Sequence, residues 1–89
     1  MAKKLKQDIS IGANLKKYRQ ASGLTQDEVA SRLQVQGLDV VQKIISEMEL
    51  GTYSIRVSVL LALAELYDVT VQDFFEGIER HEPIEQIIP

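Results

Sequence analysis

In the stretch VQKIISEMELG, residues 41–51, the side chains able to do chemistry gather on one side. Val41, Ile44, Ile45 and Met48 recur at helical spacing, which turns Gln42, Lys43, Ser46 and Glu47 away from them. An amide, an ammonium, a hydroxyl and a carboxylate offer donors, acceptors and both signs of charge. Such a face is either an ordinary solvated surface or a surface that reads a partner. Covalent chemistry finds no support elsewhere in the chain. It has no Gly-rich phosphate loop, no His-Glu metal motif and no Ser-His-Asp set. His81 stands in a tail between Glu79 and Pro83, where a solvated position is expected and a metal would need further convergent ligands. The sequence therefore predicts no enzyme, no cofactor, no metal site and no small-molecule substrate.

With 89 residues and 45% hydrophobic content the chain reads as one small globular domain. Zero cysteines exclude a disulfide framework and suit a reducing compartment. The lysines of MAKKLKQDIS are not followed by an apolar run, and no segment has the ~18 apolar residues of a membrane span. A cytoplasmic protein is expected. The net charge of −3 argues against a polyanionic partner, but its distribution argues the other way. Residues 1–43 carry eight Lys and Arg against four acids, and residues 44–89 carry two against nine. A basic half joined to an acidic half can still present one positive face.

The elements that must position the polar face read as five helices. Helix 1 is expected over 11–22, with Ser10 as N-cap and Ile11, Leu15 and Tyr18 on one side. Helix 2 opens on Thr25-Gln26-Asp27-Glu28, a capping box in which Thr25 and Glu28 satisfy each other's amides. Val29, Ala30 and Leu33 form its buried side. A loop over 34–39 turns at Gly37, and Asp39 is expected to cap helix 3, with Gln42 completing a second box. Helix 3 is the opening stretch. Helix 4, over 56–67, is the most apolar, with Val57, Leu60, Leu61 and Ala64 expected inward. Asp68 tolerates a left-handed exit, and Thr70-Val71-Gln72-Asp73 starts a short helix 5 carrying Phe74 and Phe75. No strand is expected. The fold class is all-α and compact, with helices 2 and 3 as a helix-turn-helix.

The segments IGANLKKYRQASGLTQDEVA (11–30), ISEMELG (45–51) and VSVLLALAELYDVTVQDFF (57–75), in that order, resemble the lambda-repressor-like helix-turn-helix family. These are the Cro/C1 or xenobiotic-response-element type of bacterial and phage regulators. The resemblance implies a sequence-specific DNA-binding transcription regulator that lays helix 3 in the major groove of double-stranded DNA. It implies that Gln42 and Lys43 face base edges, with Ser46 and Glu47 one turn on. Gln26 would donate to a phosphate beside the start of helix 2, and Thr52, Tyr53 and Ser54 would occupy a loop touching the neighbouring backbone. Glutamine can pair bidentately with adenine, and lysine suits guanine or a phosphate. Arg19 and Glu49 match a structural ion pair linking helix 1 to the end of helix 3.

The chain departs from the family in three places. Its helix 2–helix 3 loop is several residues longer. Val41 stands where relatives often carry a Ser or Thr cap. Glu47 and Thr52-Tyr53 replace neutral or basic residues, which leaves Lys43 as the firm cation of the face. Since phosphate neutralisation carries most DNA affinity, a monomer should bind weakly. The expected organisation is a basic N-terminal arm (1–10), the helix-turn-helix domain (11–77) and a C-terminal tail (78–89). Phe74, Ile78, Ile84, Ile87 and Ile88 suggest a homodimer contact through helix 5 and the tail, the alternative being a tail that folds back on its own core. The alternative is a helix-turn-helix fold used for protein contact, as a regulatory subunit.

Overall fold

The computed structural model describes residues 10–78 together with the backbone of Lys4–Leu5. Four α-helices carry the fold: α1 (Gly12–Ala21), α2 (Gln26–Val35), α3 (Gln42–Leu50) and α4 (Val57–Leu66). The expected fifth helix is instead a 3-10 helix, Val71–Phe75. It does open on the expected cap, with Thr70 and Asp73 satisfying each other's amides. Five residues are too few for i→i+4 bonding to outweigh the tighter turn.

A second correction concerns strands, of which none was expected. β1 (Lys4–Leu5) pairs antiparallel with β2 (Ile55–Arg56), in the register Lys4 to Arg56 and Leu5 to Ile55. Two residues per strand show no alternation for a sequence reading to detect. The domain is thus mostly helical, with this short ladder beside α4.

The core is built from Ile11 and Leu15 before and on α1, Val29, Ala30 and Leu33 on α2, and Ile45 and Met48 on α3. Val59, Leu60, Ala62, Leu63 and Ala64 on α4, with Val40, Ile55, Tyr67 and Phe74, complete it. Phe74 is the largest fully buried side chain, and its ring meets Tyr18 and Tyr67 edge-on at centroid distances of 5.9 and 6.3 Å. Helix 4 points only partly as expected: Leu60 and Ala64 face in, but Val57 and Leu61 face outward while Val59, Ala62 and Leu63 take inward places. Apolar residues surround this helix almost completely, so periodicity could not choose its buried side.

The capping box at Thr25 and Glu28 forms as expected, with bonds of 3.0 and 2.8 Å. Those bonds to Thr25 hold the Glu28 carboxyl below the usual carboxylate range. Helix 1 begins one residue late, with Ile11 as N-cap. Ser10 still serves its start, since Gly12 N–H donates to Ser10 Oγ at 3.0 Å. Asp39 does not cap α3. The N-cap is Val41, in extended conformation and without a side-chain bond. The reason is Val40, which is 1% exposed and pulls the chain into the core immediately before the helix.

The long α2–α3 connection is therefore anchored. Leu38 packs against the core, Gln34 Nε2 donates to Val40 O at 2.8 Å, and the turn is made by Gly37 at φ 87°. That left-handed backbone costs a glycine little.

Gly12 has a different role. A Cβ there would run into the backbone carbonyls of Met48 and Glu49, so α1 and the end of α3 touch backbone to backbone. On the other side of α1, Asn14 Nδ2 donates to the carbonyls of Phe74 and Glu76, both at 2.8 Å. Tyr18 Oη donates to Glu76 Oε1 at 2.9 Å, a bond that raises the Tyr18 phenol pKa. Residues 79–89 lie outside the described residues, as do 1–3 and 6–9. The tail isoleucines Ile84, Ile87 and Ile88 and the arm lysines Lys3 and Lys6 are among them.

Candidate nucleic-acid interface

Three helices bring four polar side chains into one chain of bonds. Arg19 leaves α1 and Glu49 leaves the last turn of α3, and the two meet with their side chains 11% and 5% exposed. Arg19 Nε donates to Glu49 Oε2 at 2.7 Å and Arg19 Nη2 to Glu49 Oε1 at 3.1 Å. The third arm of the guanidinium, Nη1, donates to Leu24 O at 2.9 Å, the residue just before the helix 2 cap. A planar fork with three satisfied directions suits this half-dry position. The bond to Glu49 raises the Arg19 pKa further, so the cation is permanent.

Gln26, in the first turn of α2, adds the next link. Its Nε2 donates to Glu49 Oε1 at 2.9 Å, and its Oε1 accepts from Gln42 Nε2 at 2.6 Å. Thr25, Gln26, Asp27, Gln42 and Arg19 line an open cavity of about 520 Å³ at this corner. The starts of α2 and α3 are thereby tied to one another and to the buried ion pair. The link from Gln26 to Glu49 had no signal in the sequence, because the two are 23 residues apart on different helices. Gly12, where α1 meets the end of α3, and Asn14, which ties α1 to the 3-10 helix, were also missed. Both sit in the IGAN run, whose only readable feature was its apolar spacing.

The remaining site residues are distributed along α3 and beyond. Lys43 is exposed, and Ser46 and Glu47 are half-buried. Among the described residues Lys43 and Glu47 form no ion pair, although they stand one turn apart. Thr52 follows the helix, with its N–H and hydroxyl donating to Glu47 O at 3.0 and 3.3 Å. Tyr53 packs against the core, and Ser54 is half-buried. A helical rise of about 1.5 Å per residue sets Leu50 about 12 Å along the axis from Gln42, and Thr52 to Ser54 follow at that far end of the helix. The structure thus joins Arg19, Gln26, Gln42 and Glu49, lines Lys43, Ser46 and Glu47 along α3, and leaves Thr52, Tyr53 and Ser54 apart. Among the described residues no group of acids and histidine could hold a metal, and no helix is long and apolar enough to cross a membrane.

A family model described as a helix-turn-helix domain matches residues 10–74. Among solved structures, the chain is similar to an HTH_3 family transcriptional regulator from Vibrio cholerae, at 28% identity and a TM-score of 0.58 over 73% of this chain. The match spans about a third of that regulator, 34% of its length. No curated protein matches the chain.

Proposed function

Because the chain belongs to the lambda-repressor-like helix-turn-helix family, we propose that it is a sequence-specific DNA-binding transcription regulator of the Cro/C1, xenobiotic-response-element type. The observation that carries this reading is the bonded pair at the mouth of the cavity. Gln26 and Gln42 hold the start of α3 against the start of α2 at 2.6 Å, the arrangement a recognition helix needs at its reading end. In this reading Gln42 meets an adenine edge through its amide, and Lys43 meets a guanine or a phosphate. Gln26 donates its second amide hydrogen to a phosphate, and Thr52, Tyr53 and Ser54 lie beside the backbone farther along the groove. Ser46 and Glu47 face the groove one turn in. Arg19 and Glu49 do not touch DNA and hold the two helices at their angle.

The protein acts in the cytoplasm as a homodimer, since one half-site with a single cation on its reading helix holds DNA weakly. A two-fold pair engages two half-sites about 34 Å apart. The acidic residues of the face support a second reading, a helix-turn-helix fold that contacts another protein. The two separate in one experiment, fluorescence anisotropy with a random duplex and with a duplex selected from a random pool, at low and moderate salt. Binding that weakens with salt and favours the selected duplex supports the first reading. No binding at low salt overturns it.

A further inference from the structure

Two apolar side chains of α4 stand in solvent. Val57 is 42% and Leu61 55% exposed, although the apolar pattern assigns both inward. Four positions apart, they lie on one stripe of the helix. At about 100° per residue, Ser58 and Glu65 fall on the same side, with Asp68 just past the helix end, and all three are exposed. Val59, Leu60, Ala62, Leu63 and Ala64 fill the buried side, and among the described residues nothing covers the stripe.

The two ends of the stripe differ in charge. α4 starts at Arg56, its N-cap, with no side-chain cap bond and no acid in the first turn. It ends beside Glu65 and Asp68, with no base in the last turn. A helix N-terminus favours a nearby anion and a C-terminus a cation, so each end of α4 carries the sign its dipole disfavours. No Lys or Arg stands between Arg56 and Arg80 to offset the acidic end.

We infer that this stripe is the homodimer face, on which a second copy docks with its α4 antiparallel to the first. A two-fold axis sets a surface patch against its own copy. With Leu61 on the axis, Leu61 meets the partner's Leu61, and Val57 meets the stem of the partner's Glu65. Arg56 comes opposite position 66 of the other helix, between the partner's Glu65 and Asp68. Its Nη2 donates to Asp39 O at 3.4 Å, a bond long enough to yield to a carboxylate. Each uncapped N-terminus thus receives acids, and each acidic end receives a guanidinium. The tail, 79–89, suits the stripe less well. It holds Glu79, Glu82 and Glu85 against Arg80 alone, and would bring acid to an acidic end. The inference rests on the homodimer proposed above. Two apolar side chains from each copy make a small contact, so the dimer forms at high protein concentration.

The chain has no cysteine, so Leu61→Cys puts a single thiol on the axis. Under mild oxidation it should link two copies by a disulfide at least tenfold faster than Gln20→Cys, a thiol on the exposed side of α1. Equal rates overturn the inference. In sedimentation equilibrium, Leu61→Glu should raise the dimer dissociation constant at least tenfold, with the thermal melt of the dilute chain unchanged. Arg56→Glu and Glu65→Arg should each weaken the dimer, and the two together should restore it, a rescue that a purely structural role does not give. A wild-type dimer that Leu61→Glu leaves intact overturns this face while the homodimer stands. A wild-type monomer at every concentration overturns the homodimer, and this face with it.

Discussion

Glu47 is the residue whose role the surrounding bonds constrain least. Its backbone carbonyl ends the helix by accepting from Thr52, while its half-buried carboxylate pairs with no cation among the described residues. Lys43, one turn earlier, would add only about 0.3–0.5 kcal/mol if it did pair. Glu47→Gln should therefore leave thermal stability within about 0.5 kcal/mol of wild type. If α3 enters a groove as proposed, the carboxylate would act as a gate, repelling phosphates with little to offset it. The substitution should tighten binding to a selected and to a scrambled duplex alike, at one fixed salt. A loss of preference at one base pair, of about 1–3 kcal/mol, would instead make Glu47 a reader of a cytosine amine. Unchanged affinity for both duplexes would remove it from the interface. Tyr67 gives a second test at this scale. Burial raises its phenol pKa, because the ionised form would lose its water, and the neighbouring Glu49 charge adds to the effect. The folded chain thus keeps this proton after the unfolded chain has released it. Stability is fully present below the ordinary tyrosine pKa of about 10 and falls as pH rises through it toward the raised folded value. Tyr67→Phe should flatten that alkaline decline in urea melts taken between pH 8 and 11.

At the scale of elements, the contact of α1 with the end of α3 governs where the site residues meet. Arg19 is on the first and Glu49 on the second, and Gly12 is where their backbones close. Gly12→Ala would drive a methyl group into the Met48 and Glu49 carbonyls, neither of which can step aside as a side chain would. Overpacking of this kind costs about 1–3 kcal/mol and should lower the denaturant midpoint accordingly. It should also weaken DNA binding more than an equally destabilising change remote from the ion pair. The sequence disclosed a good part of this framework. The Thr25 and Glu28 box, the Gly37 turn and the alternation of apolar residues on α1 and α2 are local signals, and each appears in the fold. The cap at Asp39 was misread because Val40, a β-branched residue with no polar signature, takes the place in the core that fixes the helix start. The buried side of α4 was read correctly at Leu60 and Ala64 and misread at Val57 and Leu61, because a helix apolar nearly all round has no clear phase. The Glu49–Gln26–Gln42 chain was illegible because its bonds join residues 16 and 23 positions apart, and no period links them.

For the whole molecule, charge and assembly decide how well the face works. The chain is net negative, with its cations concentrated in the first half, and the described reading helix offers Lys43 alone. Each phosphate contact contributes about 0.9 to the salt slope, so a monomer should show a shallow dependence and a dimer about twice that. Sedimentation equilibrium up to high protein concentration should give a dimer, and a monomer throughout would refute it. Of the residues expected at that contact, Phe74 is instead buried in the core of its own chain and Ile78 packs against that core, while Ile84, Ile87 and Ile88 lie outside the described residues.

The anchored connection between α2 and α3 bears on how this protein could be altered without loss. Leu38 packs against the core and Val40 sits in it, Gln34 ties the backbone of Val40, and Gln26 grips Gln42 across the gap. The two helices are thus held by what touches them rather than by the length of chain that joins them. Gly37, exposed and bent, is only a tether, and each doubling of a flexible tether costs about 0.6 kcal/mol. Insertion of a tag, a fluorophore attachment site or a protease cleavage sequence at Gly37 would leave the reading corner standing, which makes the most unusual stretch of this chain also its most forgiving.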